Sequence, residues 1–535
     1  MDFDPSYYPY ASHREVIYGR RGMVCTSQSL AAQAGLEMLK QGGNAVDAAI
    51  ATAICLTVLE PTSNGLGSDA FALVWMQGKL YGLNGSGWSP AKLTRAALLA
   101  RGCQTMPLRG WEPVMVPGAP AAWAALHKRF GKLPFTVLFE PAIYYASAGY
   151  AVMPNVAAML ADSLQAFTPY QDQPLFQNLF QTFFPGGQAP KPGQVLKLPE
   201  LARSLRLLQQ SECRALYEGE IASAMDAWSR ETDGFLRQED LAAYAPEWVE
   251  PIHTSYRGYD VWEMPPNGHG LVVLMALNIL NGFTFSKRDD PLRFHQAMEA
   301  MKLAFADGRQ YIADPRFMKT KVNDWLSAAY ARKRRALIGE KALLPQPTQV
   351  NCGGTVYLCT ADGEGNMVSY IQSNYNGFGS GLVLPGYGVA FSDRGHNFSL
   401  DPASDNCVGP RKRSYHTIIP GFLTKNGRAI GPFGVMGAFM QPQGQVQVLM
   451  NMLDFHLNPQ AALDAPRWQW LGGRKIEMEP GIPAAIVQDL RDRGHDITIK
   501  SDIQTYGRGQ IIWRNEEGTL IGATEPRADG VVAAW

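Results

Sequence analysis

An α+β fold is what this sequence predicts, on three observations. Helical patterning dominates up to about residue 350, and short β-rich runs divided by glycine turns dominate after it. One early helix, residues 45–59, is so rich in alanine and apolar side chains that it must be covered on nearly all sides, as a helix layer against a sheet would be.

Taken in order, a β-like Met23-Val24-Cys25 leads to a helix that Ser27 or Ser29 can cap, with Leu30, Ala34, Leu36, Met38 and Leu39 near helical spacing and Gly42-Gly43 stopping it. Asn44 opens the apolar helix and Pro61 ends it. Residues 71–81 read as a hairpin turning at Gln77-Gly78. Further helices are expected at 121–129, 141–148, 271–280 and 294–311, the last broken by Asp314-Pro315. Residues 346–354 (QPTQVNCGG) form the best candidate for an exposed linker. Strand-like runs at 355–359, 367–372, 382–384 and 389–392 then have the rhythm of a β-meander.

Composition narrows the function. A 535-residue chain with 46% hydrophobic and 18% charged residues is globular, and 48 basic residues against 48 acidic ones leave no field to draw it to nucleic acid. The 53 glycines and 36 prolines argue against a coiled coil. Seven cysteines with no CxxC indicate neither a disulfide framework nor a zinc ribbon, and a reducing compartment is expected. Residues 1–20 lack an apolar core for a signal peptide, so the expected location is cytoplasmic. The longest mainly apolar run, residues 48–59, falls short of the ~20 residues of a membrane span.

No HExxH, no GxxxxGK[ST] and no zinc-like histidine pair occurs, so neither a metal nor a cofactor is expected. Gly377 to Gly381 (GFGSG) reads as a tight turn between strands, and His295 with Glu299 as a satisfied side-chain pair. Thr355 stands apart. It follows Gly353-Gly354 where the linker enters a strand, and a freed N-terminal threonine would pair a hydroxyl nucleophile with an α-amine of pKa about 8 as its base. Gly-Gly-Thr alone reads as an ordinary loop-to-strand junction.

A longer pattern separates these readings. GMVCTSQSLAAQAGLEMLKQGGNAVDAAIATAICLTVLEPTSNGLG from Gly22, Pro117-Gly118, PAIYYASAGY, PPNGHG from Pro265, HQAMEAMKLAFADGRQYIADPRF from His295 and TVYLCTADGEGNMVS from Thr355 resemble, in order, the γ-glutamyltranspeptidase family. GFGSG, GPRKR, GVMGAFMQPQGQVQVLMNMLDFHLN, APRW and GATEPRADG continue the resemblance over nearly the whole chain. It implies a four-layer αββα sandwich of the N-terminal-nucleophile hydrolase type, made as a precursor that cuts itself between Gly354 and Thr355. Residues 1–354 would form a large chain and 355–535 a small one, together one catalytic unit and a heterodimer of the protein's own fragments. Thr355 would carry the acyl group of a small-molecule amide to water or to an amine. Ser373 matches the hydroxyl residue supporting the nucleophile, and Gly437 with Ala438 the pair whose N–H groups form the oxyanion hole.

The resemblance fails at the substrate head. The family's arginine for the α-carboxylate falls on Ser86 and its aspartate for the α-ammonium on Asn397. A family glutamine falls on Arg394, an asparagine on Tyr375, and two serines on His416 and Thr417. Losing both ionic partners removes contacts worth roughly 1.5 to 3 kcal/mol each. Arg394 is either an anion site for an acidic acyl group lacking the α-amine, as in cephalosporin-acylase-like members, or a solvated turn residue. The family's TTH reads Thr355-Val356-Tyr357, and a short 398–409 segment implies an open cleft that favours hydrolysis. The alternatives are a true γ-glutamyltransferase or glutathione hydrolase with another clamp, and a non-catalytic binding descendant.

Overall fold

The computed structural model describes residues 13–345 and 354–535. Its architecture is two seven-stranded sheets packed face to face with helices on both outer faces. One sheet runs Val531–Ala534, Gly22–Thr26, Gly354–Asp362, Met367–Tyr375, Asp69–Met76, Lys79–Gly85 and Glu247–Val249. The other runs Ile17–Gly19, Leu520–Thr524, Arg508–Arg514, Arg428–Met436, Gly421–Lys425, Tyr259–Glu263 and Ile252–Tyr256. Helix, sheet, sheet, helix is therefore the layer order.

Three apolar cores separate the layers. Met23, Phe71, Tyr357, Cys359, Ile371, Phe422 and Ile512 fill the space between the sheets. Val356 and Leu358 point the other way, into the core beneath helix Ala45–Leu59. The alternation along one strand thus serves two cores, and the run reads as continuously apolar because both faces are covered. Helices Gly270–Leu280, Pro291–Tyr311 and Met440–Leu453 cover the second sheet.

Local sequence accounts for the apolar helix. Asn44 Oδ1 accepts from the N–H groups of Val46 and Asp47, while Asp47 accepts from the Asn44 N–H, a reciprocal capping box. All fifteen helical residues are buried. Asp362, at the end of the strand begun by Gly354, accepts from the Ala45 N–H at 3.1 Å, where the positive end of the helix favours a carboxylate.

Two expectations need correction. The first helix, Ser29–Lys40, is capped by Gln28, whose side chain accepts from the Ala31 N–H, because Ser27 is drawn away to donate to Glu60 at 2.6 Å. The C-terminal strands are not one meander: Gly354–Asp362 and Met367–Tyr375 join the first sheet, later strands build the second, and Val383–Leu384 with Val389–Ala390 forms a separate ribbon. Residues 346–353 of the expected linker lie outside the described residues. Among the described residues no helix is long and apolar enough to cross a membrane.

Candidate functional site

Thr355 sits where the pairing of two central strands breaks step. Gly354 pairs with Tyr375 but Val356 pairs with Gln372, so the partner strand carries one extra residue opposite Thr355. Such a bulge re-aims side chains. Thr355 Oγ1 lies 3.1 Å from Ser373 Oγ, and both hydroxyls lie 2.8 Å from the carbonyl oxygen of Gly354. The Tyr375 N–H donates to Ser373 Oγ at 2.8 Å. Two hydroxyl protons serve three oxygen contacts. One arrangement has Thr355 donating to Ser373 and Ser373 donating to the Gly354 carbonyl, which leaves the Thr355 oxygen free to attack a polarised carbonyl. Gly354 is closely packed: a Cβ there would meet Ser63 Cα at 3.1 Å and the Thr62 carbonyl at 3.3 Å.

Gly437 and Ala438 form the turn between strand Arg428–Met436 and helix Met440–Leu453. Their φ angles are +135° and +47°. Alanine in the left-handed region is strained by about 1 to 2 kcal/mol. Among the described residues neither amide N–H donates to a backbone carbonyl. Gly437 and Thr355 line one cavity of about 360 Å³, with Arg109, Met159, Asn376 and Arg508 also on its wall. Thr355 itself is only 2% exposed. The 398–409 segment does not line this cavity; Phe398, Ser399, Ser404 and Asn406 line a second, polar cavity of about 280 Å³.

The six candidate substrate residues divide. Tyr375 and Asn397 line the second cavity. Ser86, Arg394, His416 and Thr417 line neither of these two cavities and are fully or almost fully buried. The solvated-turn reading of Arg394 is therefore wrong. Its Nε donates to Asp69 at 3.3 Å, its Nη1 donates to Thr417 at 2.6 Å, and its guanidinium lies 4.5 Å from the centre of the Tyr375 ring. Its Nη2 has no partner among the described residues.

Asp69, which no sequence motif singled out, organises this group. It accepts from the Gly87 N–H at 2.7 Å and from His416 Nε2 at 3.0 Å, while the Ile418 N–H donates to His416 Nδ1. The imidazole is therefore neutral with its proton on Nε2. Burial raises the Asp69 carboxyl, but His416, Arg394 and the Gly87 N–H together hold it below its ordinary value. Burial and Arg394 push His416 down to about 4. Ser86 has its own partners: its N–H and hydroxyl donate to Asn84, and its carbonyl accepts from Tyr244 and Arg413. Of the changed nucleophile motif, Tyr357 turns into the inter-sheet core, its hydroxyl 2.7 Å from Ser369 Oγ.

His295 and Glu299 are satisfied, but not by each other. His295 Nδ1 pairs with His495 Nε2 at 2.9 Å and its Nε2 donates to the Gly339 carbonyl, whereas Glu299 holds the Lys302 ammonium at 2.8 Å. These three potential ligands lie within 4.8 Å of one another, yet Lys302 also reaches His495 Nδ1 at 3.3 Å and supplies the positive charge. The arrangement suits an internal ion pair better than a metal.

Comparison with known proteins gives the fold and the site a family. A family model described as Gamma-glutamyltranspeptidase matches residues 31–535. The crystal structure of cephalosporin acylase from Bacillus halodurans is 56% identical with a TM-score of 0.97, covering 100% of this chain and 99% of that one. The glutathione hydrolase-like YwrD proenzyme of Bacillus subtilis (strain 168) is 34% identical, covering 96% of this chain and 98% of its own. The acylase ACY 1 proenzyme of Pseudomonas sp. (strain SE83) is also 34% identical, over 96% and 94%.

Proposed function

Because the chain belongs to the gamma-glutamyltranspeptidase family of N-terminal-nucleophile amidohydrolases and acyltransferases, we propose that it cuts itself between Gly354 and Thr355 and then works through an acyl ester on Thr355. The observation that carries this reading is the convergence of the Thr355 and Ser373 hydroxyls on the carbonyl of Gly354. Attack by Thr355 Oγ1 on that carbonyl carbon moves the acyl group from nitrogen to oxygen, and water then hydrolyses the ester. A free α-amine and a 354-residue and a 181-residue fragment result. The names of the two proenzyme relatives support processing of this kind.

After the cut the fragments stay together through the first sheet. Residues 355–362 and strand Met367–Tyr375 of the small fragment pair with each other and lie between Gly22–Thr26 and Asp69–Met76 of the large one. The neutral α-amine, of pKa about 8, takes the hydroxyl proton as Thr355 attacks an amide, and the Gly437 and Ala438 N–H groups receive the developing oxyanion. Metal and cofactor play no part in this scheme.

The acyl head differs from a γ-glutamyl group. Ser86 and Asn397 supply no charge for an α-amino acid, and the similarity to a cephalosporin acylase and to acylase ACY 1 supports donors lacking the α-amine, with an acidic acyl group such as glutaryl preferred. Screening processed protein with γ-glutamyl, glutaryl and simple acyl anilides tests the proposal. Glutaryl anilide should be cleaved at least as well as its γ-glutamyl counterpart. A γ-glutamyl preference of about a hundredfold or more would contradict it.

A further inference from the structure

We propose that Arg508 receives a carboxylate of the amide donor bound at Thr355, an inference that rests on the acyl-transfer function proposed above. Three arginines stand near the nucleophile, and their partners separate them. Arg394 lines neither cavity and is committed to Asp69, Thr417 and the face of Tyr375. Arg109 is on the cavity wall, but its Nη1 is held by the carbonyls of Gly377 and Gly379, lies 3.8 Å from Asp393, and its guanidinium lies over Phe167. Arg508 is also on that wall and is held far less completely.

Arg508 begins strand Arg508–Arg514 and pairs with Met436, the residue before the Gly437-Ala438 turn. The backbone thus places its guanidinium near the nucleophile and the proposed oxyanion site. The residue is 8% exposed, and its Nε has no hydrogen-bond partner among the described residues. Its Nη1 meets the Met159 sulfur at 3.2 Å, a weak acceptor, and stands 3.7 Å from Glu60 Oε1, beyond hydrogen-bond range.

Glu60 does not fill the vacant role. Its two oxygens accept from Ser27 and Ser63, and at 3.7 Å its Oε1 makes no hydrogen bond to Arg508, so the Arg508 N–H groups stay available. The two carboxylates on the cavity wall, Asp162 and Asp502, are exposed residues. A buried guanidinium with an unused N–H beside a nucleophile matches a carboxylate, which accepts two such bonds with charge assistance. That carboxylate can belong to the acyl part of the donor or to the leaving amine.

Two donor pairs distinguish the sources: glutaryl against valeryl anilide, and the valeryl amide of 4-aminobenzoate against that of aniline. Each is measured with processed wild type, Arg508→Gln, Arg508→Lys and Arg394→Gln. In one pair the wild type should favour the carboxylate-bearing donor by about tenfold or more in kcat/KM. Arg508→Gln should bring that ratio to near unity, Arg508→Lys should retain part of it, and Arg394→Gln should keep it. The pair that responds places the carboxylate on the acyl or the amine side. A ratio that survives Arg508→Gln, or that collapses only in Arg394→Gln, overturns the inference alone. Processed protein that cleaves none of the four donors overturns the proposed function and this inference with it.

Discussion

Ser373 and Asp69 face each other across neighbouring strands, in register. Ser373 turns its hydroxyl to Thr355 and the Gly354 carbonyl, while Asp69 gathers His416, Arg394 and the Gly87 N–H. One rung of the sheet therefore joins the proposed nucleophile to the buried charges where the family's head-group clamp is expected.

The first prediction tests that rung. Ser373→Ala removes the acceptor of the Tyr375 N–H and one of two hydroxyls on the Gly354 carbonyl. Processing should slow on the order of a hundredfold, with Ser373→Thr close to wild type. Fragment appearance over time on a denaturing gel checks it, and unchanged kinetics in Ser373→Ala would exclude this role.

A second prediction concerns pH. His416 stays neutral in the folded chain down to about 4 but titrates at an ordinary 6.5 when unfolded, so between those values the unfolded state binds more protons. Stability should fall as pH drops from 6.5 to about 4, and less steeply in His416→Gln. The depressed Asp69 adds its own loss only as pH falls through and below 3.8. Urea midpoints across this range decide it, parallel slopes in the two proteins being the contrary result.

How much of this was legible in the sequence depends on how local the signal is. The Asn44 cap, the hairpin Asp69–Met76 with Lys79–Gly85 and the apolar helix are written in adjacent residues, and each forms as read. The division of the C-terminal strands between two sheets is set by contacts with strands hundreds of residues away, including Gly22–Thr26, and adjacent residues do not encode it. Asp69 was missed because a single acid at the head of an apolar strand carries no motif. Its partners His416 and Arg394 lie 347 and 325 residues downstream. Arg394 was legible as a departure from the family, but not as a residue already occupied by Asp69 and Thr417.

Position 438 provides a third prediction. Ala438→Gly keeps the amide N–H and relieves a left-handed alanine, so stability should rise by up to about 1 kcal/mol with catalysis retained. Ala438→Val should destabilise by more than that, because a β-branched side chain tolerates this region worst. Thermal unfolding of both variants provides the comparison, and an order of stability with valine above glycine would contradict the strain.

Restoring the family's arginine at Ser86 should not by itself restore γ-glutamyl specificity. The serine is fully buried among Asn84, Asn267 and Tyr244, with Arg413 already donating to its carbonyl. Ser86→Arg should cost at least about 1 to 3 kcal/mol by overpacking alone, before any cost of a second buried cation. Denaturant unfolding together with the γ-glutamyl to glutaryl kcat/KM ratio reads both effects. A variant as stable as wild type with a restored γ-glutamyl preference would show that the site has room for the original clamp.

The central claim is that Thr355 becomes an amino terminus by its own attack on Gly354. Intact-mass measurement with terminal sequencing of purified wild type and Thr355→Ala tests it most directly. The account predicts two wild-type fragments of 354 and 181 residues, the smaller beginning at Thr355, and a single unbroken chain for the variant. A wild-type chain that stays whole while turning over amides, or a Thr355→Ala chain that still divides at this bond, would contradict it.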